Sequence, residues 1–267
     1  MENILLPSKM TFTEGASESE SVLTIEPLHH GYGTTLGNAL RRVLLSSLEG
    51  AAVTAVKLKG AQHEFSTIDG VKEDVLEIIL NLKKLRLKVH TDEPVVLSLE
   101  VSGKTGEVTA ADISANADVE IVNKDLLIAT LTSADAKLVM EITVGRGRGF
   151  VPTEERDTTG NDIGVMAIDS LYSPVLSVGM SVENTRVGEI TNYDKLIMNI
   201  VTDGTLTPQE AVGDAVKILL NHYSWVESQL THASLTEKIA AANEERKEEV
   251  AAEELEAAEE ETTEGEE

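Results

Sequence analysis

Three glycines, Gly31, Gly33 and Gly37, stand between an alternating apolar stretch and a helical one. Such a turn can present backbone amides to a pyrophosphate at a helix N-terminus. The dinucleotide fingerprint needs its third glycine one place earlier. It also needs an acid at the end of the next strand, where this chain has Lys57 and Lys59. Gly103-Lys104-Thr105 imitates the end of a phosphate loop, but Ser98 stands where that loop requires its first glycine, and a hairpin turn is expected instead. His29-His30 and His63-Glu64 have no second ligand three or four residues away on one helix, so no metal site is expected. No G-x-S-x-G nucleophile turn occurs. Arg146-Gly-Arg148-Gly, beside Phe150-Val-Pro152, reads as a β turn contacting protein rather than as an RNA-binding tract. No catalytic constellation emerges, and no cofactor is expected.

The element that must position the glycines is the helix they open, which is expected to run to Leu48, with Thr34 or Thr35 as its cap and Gly50 as its left-handed terminator. At 100° per residue, Leu36, Ala39, Leu40, Val43, Leu44 and Leu48 form an apolar arc over about half the circumference. Asn38, Arg41, Arg42, Leu45 and Ser46 occupy the other side. A leucine between two arginines is what a protein contact patch offers. Arginines that pair with acids of their own chain would give the same pattern, and both readings stay open at this point.

The chain has 267 residues, no cysteine and 41% apolar residues, enough for one large or two small domains with real cores. Disulfides and thiolate metal sites are excluded. The N-terminus has no basic segment followed by an apolar one, and no apolar run approaches 18 residues, so neither a signal peptide nor a membrane span is expected. Net charge is −25. From Glu237 onward 14 acidic and 3 basic residues give −11; the preceding 33 acidic and 19 basic give −14. Both parts are acidic, which disfavours direct DNA or RNA binding, since that affinity comes largely from neutralising phosphates.

Residues 20–28 alternate as a strand, and 51–59 alternate again after the helix. Residues 60–70 read as a loop and 71–82 as a half-buried helix. Short strands are expected at 85–89, 95–101, 119–122, 126–131 and 137–144, predominantly antiparallel. Residues 145–164 are polar and turn-rich and read as an exposed loop. Strands at 168–172 and 175–183 are followed by a hairpin, 186–190 and 195–202, turning at Thr191–Asp194. Thr207-Pro-Gln-Glu210 is a capping box opening a helix to about Leu230, with Val212, Ala215, Leu219, Tyr223 and Val226 as one stripe and Ala211, Ile218, Leu220 and Trp225 off it. Two helices with surplus apolar surface favour an interaction protein. From Ala240 the composition is Ala/Glu-rich and cannot build a core.

The strings Glu26-Pro-Leu, Gly31-Tyr-Gly-Thr-Thr-Leu-Gly-Asn-Ala-Leu-Arg-Arg-Val-Leu-Leu-Ser-Ser, His63-Glu-Phe-Ser-Thr, Val71-Lys-Glu-Asp-Val-Leu-Glu-Ile-Ile-Leu-Asn-Leu-Lys83, Val108-Thr-Ala-Ala-Asp112, Arg146-Gly-Arg-Gly-Phe-Val-Pro152 and Tyr172-Ser-Pro-Val175 resemble the N-terminal region of the bacterial RNA polymerase alpha subunit, in the family's order from about residue 4 to 230. The resemblance implies an α+β fold: a discontinuous dimerisation domain over 1–49 and 174–230, built of a β-sheet and two long helices, with an inserted β-rich domain at 50–173. The acidic tail, 231–267, is expected to be disordered and to hold no counterpart of the family's usual C-terminal DNA-binding domain.

In function, the resemblance implies a non-catalytic assembly subunit of DNA-directed RNA polymerase, cytoplasmic and nucleoid-associated as part of the enzyme. It implies a homodimer that docks the beta and beta-prime subunits, with omega and sigma also in the complete enzyme. The beta contact maps to Asn38, Arg41, Arg42, Leu45 and His63, and the beta-prime contact to Leu82, Lys83, Arg186 and Lys195. The dimer interface maps to Leu36, Leu40, Val43, Leu44, Val212, Leu219, Tyr223 and Val226. The rival readings are a nucleotide-binding enzyme built on the Gly31–Gly37 turn and a direct nucleic-acid binder.

Overall fold

A computed structural model describes residues 4, 6–15, 17–156, 162, 164–188 and 190–231. The acidic tail from 232 lies outside the described residues. In chain order the first elements are β1 (Lys9–Glu14), β2 (Glu20–Leu28), α1 (Tyr32–Ser46), β3 (Glu49–Leu58) and α2 (Val75–Leu82). There follow β4 (Leu87–Val89), β5 (Val95–Ser102), β6 (Gly106–Thr109), β7 (Val119–Ile121), β8 (Leu127–Leu131) and β9 (Lys137–Arg148). Next come β10 (Phe150–Val151), β11 (Val165–Ala167), β12 (Ser170–Leu171), β13 (Val175–Val187) and β14 (Ile190–Thr202). Residues 208–231 are helical. The mixture is α+β and mostly strand, as expected.

The chain divides into two compact units, Met1–Val216 and Lys217–Glu267. In the first, β1, β2, β14 and β13 form one antiparallel sheet in that order, so residues more than 160 positions apart are neighbours. The β14–β2 register sets Leu196 opposite Ile25 and Met198 opposite Leu23, all buried. Helix α1 packs on β13 and β14. A second sheet runs β11-β3-β9-β5, also antiparallel, with β4–β7, β6–β8 and β10–β12 as two-stranded ribbons. Its core is a continuous apolar cluster from Val53 to Ile168, into which α2 sends Val75, Ile78, Ile79 and Leu82. In the second unit, residues 217–231 form a helix whose Leu220, Tyr223, Trp225, Val226 and Leu230 are exposed.

Several expected elements are displaced. Helix α2 starts at Val75 because the Asp74 carboxylate caps the Glu77 amide at 2.7 Å; Val71 instead bridges to Leu131 as β structure. The 145–164 loop begins as strand, since β9 continues through Arg148 opposite Glu49. Glycines at 145 and 147 read as turn residues, but Gly147 leaves room for the Tyr172 ring, whose atoms would sit 2.8 Å from an added Cβ. The β13–β14 hairpin turns after Val187, with Gly188 at φ 63, and Thr191–Asp194 lies within β14. Gly103-Lys104-Thr105 links β5 to β6, which pair with β9 and β8 rather than with each other.

The Thr207–Glu210 capping box forms as expected. The Glu210 carboxylate accepts from the Thr207 amide at 3.0 Å and its hydroxyl at 2.8 Å, and Thr207 Oγ1 accepts from the Glu210 amide. The Thr207 amide, then its hydroxyl, holds the Glu210 carboxyl below the usual carboxylate range. A carboxyl whose pKa is lower folded than unfolded contributes stability that is complete above the unfolded value, about 4.3, and vanishes as pH falls through the folded one. Glu210→Ala should therefore lower the unfolding midpoint at pH 7, and the gap to the unsubstituted protein should close as pH falls below about 4. A gap unchanged between pH 7 and pH 3 would show that the carboxylate is not its source.

Candidate functional site: the outer face of helix α1

The site begins with how α1 is held. Its N-cap, Gly31, has φ 85, a conformation that glycine adopts without strain, and no side chain of the first turn caps it. Neither Thr34 nor Thr35 does so; Thr35 Oγ1 donates instead to the Gly31 carbonyl. The cap comes from across the sheet: Asp194 Oδ2 accepts from the Gly31 amide at 2.9 Å and the Gly33 amide at 3.0 Å. Asp194 is only 4% exposed, and its second oxygen lies 3.7 Å from His30 Nδ1. A buried carboxylate at a helix N-terminus satisfies orphan amides and meets the positive end of the helix dipole. It also fills the place an anionic ligand would take, so the amides that invited a nucleotide reading are already engaged.

Gly33 and Gly37 do not shape an entry turn, because both lie inside the helix. They are the points of closest approach to the sheet. A Cβ at Gly33 would meet Val182 Cγ1 at 2.8 Å, and one at Gly37 would collide with Met180 Sδ and sit 2.8 Å from Leu196 Cδ1. Gly33, Gly37, Leu40 and Leu44 are the buried residues of α1 and form one stripe. The helix ends at Ser46, short of Leu48, with Ser47 as C-cap. Gly50 is no left-handed terminator: it is the second residue of β3, where a Cβ would collide with the Tyr172 carbonyl oxygen. Ser46 Oγ donates to the Arg42 carbonyl at 2.7 Å and Ser173 Oγ to that of Leu45 at 3.3 Å, so the last turn is tied down.

With that stripe inward, Asn38, Arg41, Arg42 and Leu45 are exposed together on the outer face. Neither guanidinium makes a hydrogen bond or ion pair among the described residues, so pairing within that part of the chain does not account for them. Leu36 and Val43 are half-buried on the flank. Leu40, Leu44 and Val212, expected at an interface between copies, are buried in the chain's own core and offer no surface to a partner. Leu219 is half-buried, whereas Tyr223 and Val226 on the 217–231 helix are 63% and 48% exposed.

The other expected contact residues are scattered. His63 is exposed in the loop after β3, where its carbonyl accepts from Ser66. Leu82, the last residue of α2, is fully buried and presents nothing to a partner, while exposed Lys83 pairs with Asp169 at 3.0 Å. The Asp169 carboxyl is held below its ordinary range first by the Thr153 amide and then by Lys83. Arg186 donates to the Gly188 carbonyl at the hairpin tip, and Lys195 lies 3.7 Å from Glu183. Sequence reasoning missed Asp194 as the helix cap. The signal within reach was the pair of glycines four apart inside a helical pattern, which marks close packing.

A sequence profile of the RNA polymerase Rpb3/RpoA insert domain matches residues 56–173. The DNA-directed RNA polymerase subunit alpha of Alkaliphilus oremlandii is 51% identical over 235 residues, covering 88% of this chain and 74% of that protein. The protein of the same name from Carboxydothermus hydrogenoformans is 49% identical over 239 residues, 90% of this chain and 76% of the relative. That from Symbiobacterium thermophilum is 53% identical over 216 residues, 81% and 68% respectively.

The close seating of α1 is open to measurement. Gly37→Ala should destabilise the protein by about 1–3 kcal/mol in urea denaturation, the cost of overpacking a filled interior. On an exposed helix face the same change would instead stabilise by up to about 1 kcal/mol. A more stable variant would show that α1 does not approach β13 and β14 so closely.

Proposed function

This chain belongs to the family of bacterial DNA-directed RNA polymerase alpha subunits, and on that premise we propose that it is the non-catalytic scaffold on which the polymerase assembles for transcription. It pairs with a second copy and docks the beta and beta-prime subunits, which hold the active site of the nucleotidyltransferase; it works with omega and sigma in the complete enzyme, in the cytoplasm. The observation that carries the docking role is the outer face of α1. Arg41 and Arg42 are exposed, flank a 36% exposed Leu45 and have no partner among the described residues. Arginines beside an apolar anchor, backed by a helix locked onto a sheet, make a preorganised protein contact.

We assign the beta contact to Asn38, Arg41, Arg42 and Leu45, with His63 at its margin. The beta-prime contact is assigned to Lys83, Arg186 and Lys195. Pairing of copies uses the exposed apolar face of the 217–231 helix, Tyr223 and Val226 with Leu219, and the flank residues Leu36 and Val43 of α1. The division into a dimerisation domain, 1–49 with 174–230, and an inserted domain, 50–173, is supported by the two separate sheets and by the extent of the matching profile. The strong acidity of the chain, −25 overall, supports a role without direct DNA binding.

Arg42→Ala should leave the unfolding free energy within about 0.5 kcal/mol and the sedimentation coefficient unchanged, because the side chain is exposed and makes no ion pair among the described residues. Capture of purified beta subunit should weaken at least about tenfold, or 1.4 kcal/mol. Undiminished capture would remove α1 from the beta contact. Val226→Asp should move the chain toward monomer in sedimentation velocity, since it places an unpaired charge in a face that pairing would bury, at a cost of about 3 kcal/mol or more. A variant as dimeric as the parent would exclude this helix face from the interface.

A further inference from the structure

The last turn of α1 is not the edge of its surface. Gly149, with φ 65, turns the chain out of β9 directly after Arg148, which faces Glu49 across the sheet. The position of a Cβ on Gly149 lies 3.7 Å from the Ser46 carbonyl oxygen at the end of α1. The Tyr172 amide donates to the Gly149 carbonyl at 2.8 Å, and the neighbouring Ser173 hydroxyl holds the Leu45 carbonyl. The β10–β12 ribbon is thereby stitched to the end of the helix that carries Arg42 and Leu45. In that ribbon Phe150 and Leu171 stand directly opposite each other, which puts both side chains on the same side, and they are 59% and 47% exposed.

Two residues per strand cannot stabilise a ribbon by themselves, so an aromatic and a leucine left in water there are unexplained by the fold. Arg148 is exposed and its guanidinium makes no hydrogen bond or ion pair among the described residues, whereas that of Arg146 takes both Glu49, at 3.1 Å, and Asp92, at 2.9 Å. In a chain with net charge −25, three unpaired guanidiniums, Arg41, Arg42 and Arg148, lie on elements that adjoin one another around the apolar groups Leu45, Phe150 and Leu171. Such a surface is complementary to an acidic segment with an apolar anchor. It suits a nucleic-acid backbone less well, because the overall charge repels phosphates.

We infer that the docking face of α1 continues over the β9–β10 corner onto β12, so that Arg148, Phe150 and Leu171 are covered by the same polymerase subunit as Arg42. The occupant is a segment of the beta subunit bearing acidic side chains around an apolar one. This rests on the reading that α1 docks beta. The test measures capture of purified beta subunit by the full-length dimer at low and high salt for Phe150→Ser, Leu171→Ser and Arg148→Ala, with Arg42→Ala as comparator. Each is expected to bind at least tenfold more weakly with unchanged circular dichroism and sedimentation, and the Arg148→Ala deficit should shrink at high salt. Normal capture by all three beside a defective Arg42→Ala would overturn the extension and leave the α1 contact standing. Normal capture by Arg42→Ala as well would overturn both. A loss directed at beta-prime, a shift of Phe150→Ser toward monomer, or a loss of retention on duplex DNA would each assign a different occupant and overturn the inference.

Discussion

The hydrogen bonds from the Gly31 and Gly33 amides to the buried Asp194 carboxylate join the start of α1 to β14, a strand more than 160 residues later in the chain. A carboxylate this buried must be compensated by donors, and the first amides of a helix must find acceptors; each resolves the other's cost. The consequence is positional. With its first turn bound to one point of the sheet, the rotation and height of α1 are set, and Gly37 falls against Met180 and Leu196 with Leu40 buried on the same stripe. Which residues face outward follows from that anchoring.

The far end of the helix is fixed by different means. Tyr172 fills the space left by Gly147, and its backbone closes over Gly50. Its hydroxyl accepts from Arg156 at 2.9 Å, while Arg156 also donates to the Thr54 carbonyl. Glycines at these positions admit an aromatic ring and a carbonyl where a methyl group would stand. The α1 C-terminus, the start of β3 and the end of β9 are thus one packed corner, and the sheet cannot shift without moving the face that α1 presents.

What remains at the surface is informative because the interior is so fully satisfied. Among the described residues no buried side-chain nitrogen or oxygen lacks a hydrogen bond. Charges such as Lys83, Arg146 and Lys195 form ion pairs, while among the described residues the guanidiniums of Arg41, Arg42 and Arg148 form none. In a strongly acidic chain, leaving guanidiniums unpaired beside exposed leucines and a phenylalanine is an arrangement that a partner completes. The proposed scaffold role needs no more chemistry than this: rigid placement of a few arginines and apolar groups.

Local pattern was enough for much of the architecture. The alternation of Glu20–Leu28 and Val95–Ser102, the apolar spacing of Val75–Leu82 and the Thr207–Glu210 box each fold on information within a few residues, and the wheel of α1 separated Arg41 and Arg42 from Leu40 and Leu44. The family strings identified the kinship that the profile match and the relatives bear out. Local pattern failed where a residue's role is set by something distant. Gly33 and Gly37 look like a turn until Met180, Val182 and Leu196 come against them; Asp194 looks like a turn residue until two helix amides need an acceptor. Gly145 to Arg148 reads as a loop until β3 supplies the ladder that makes it a strand. Periodicity reports which face is apolar, and the sequence by itself determined that much. Which partner meets that face, how closely, and which polar groups are satisfied there are sums over non-local neighbours, and only the tertiary structure decided them.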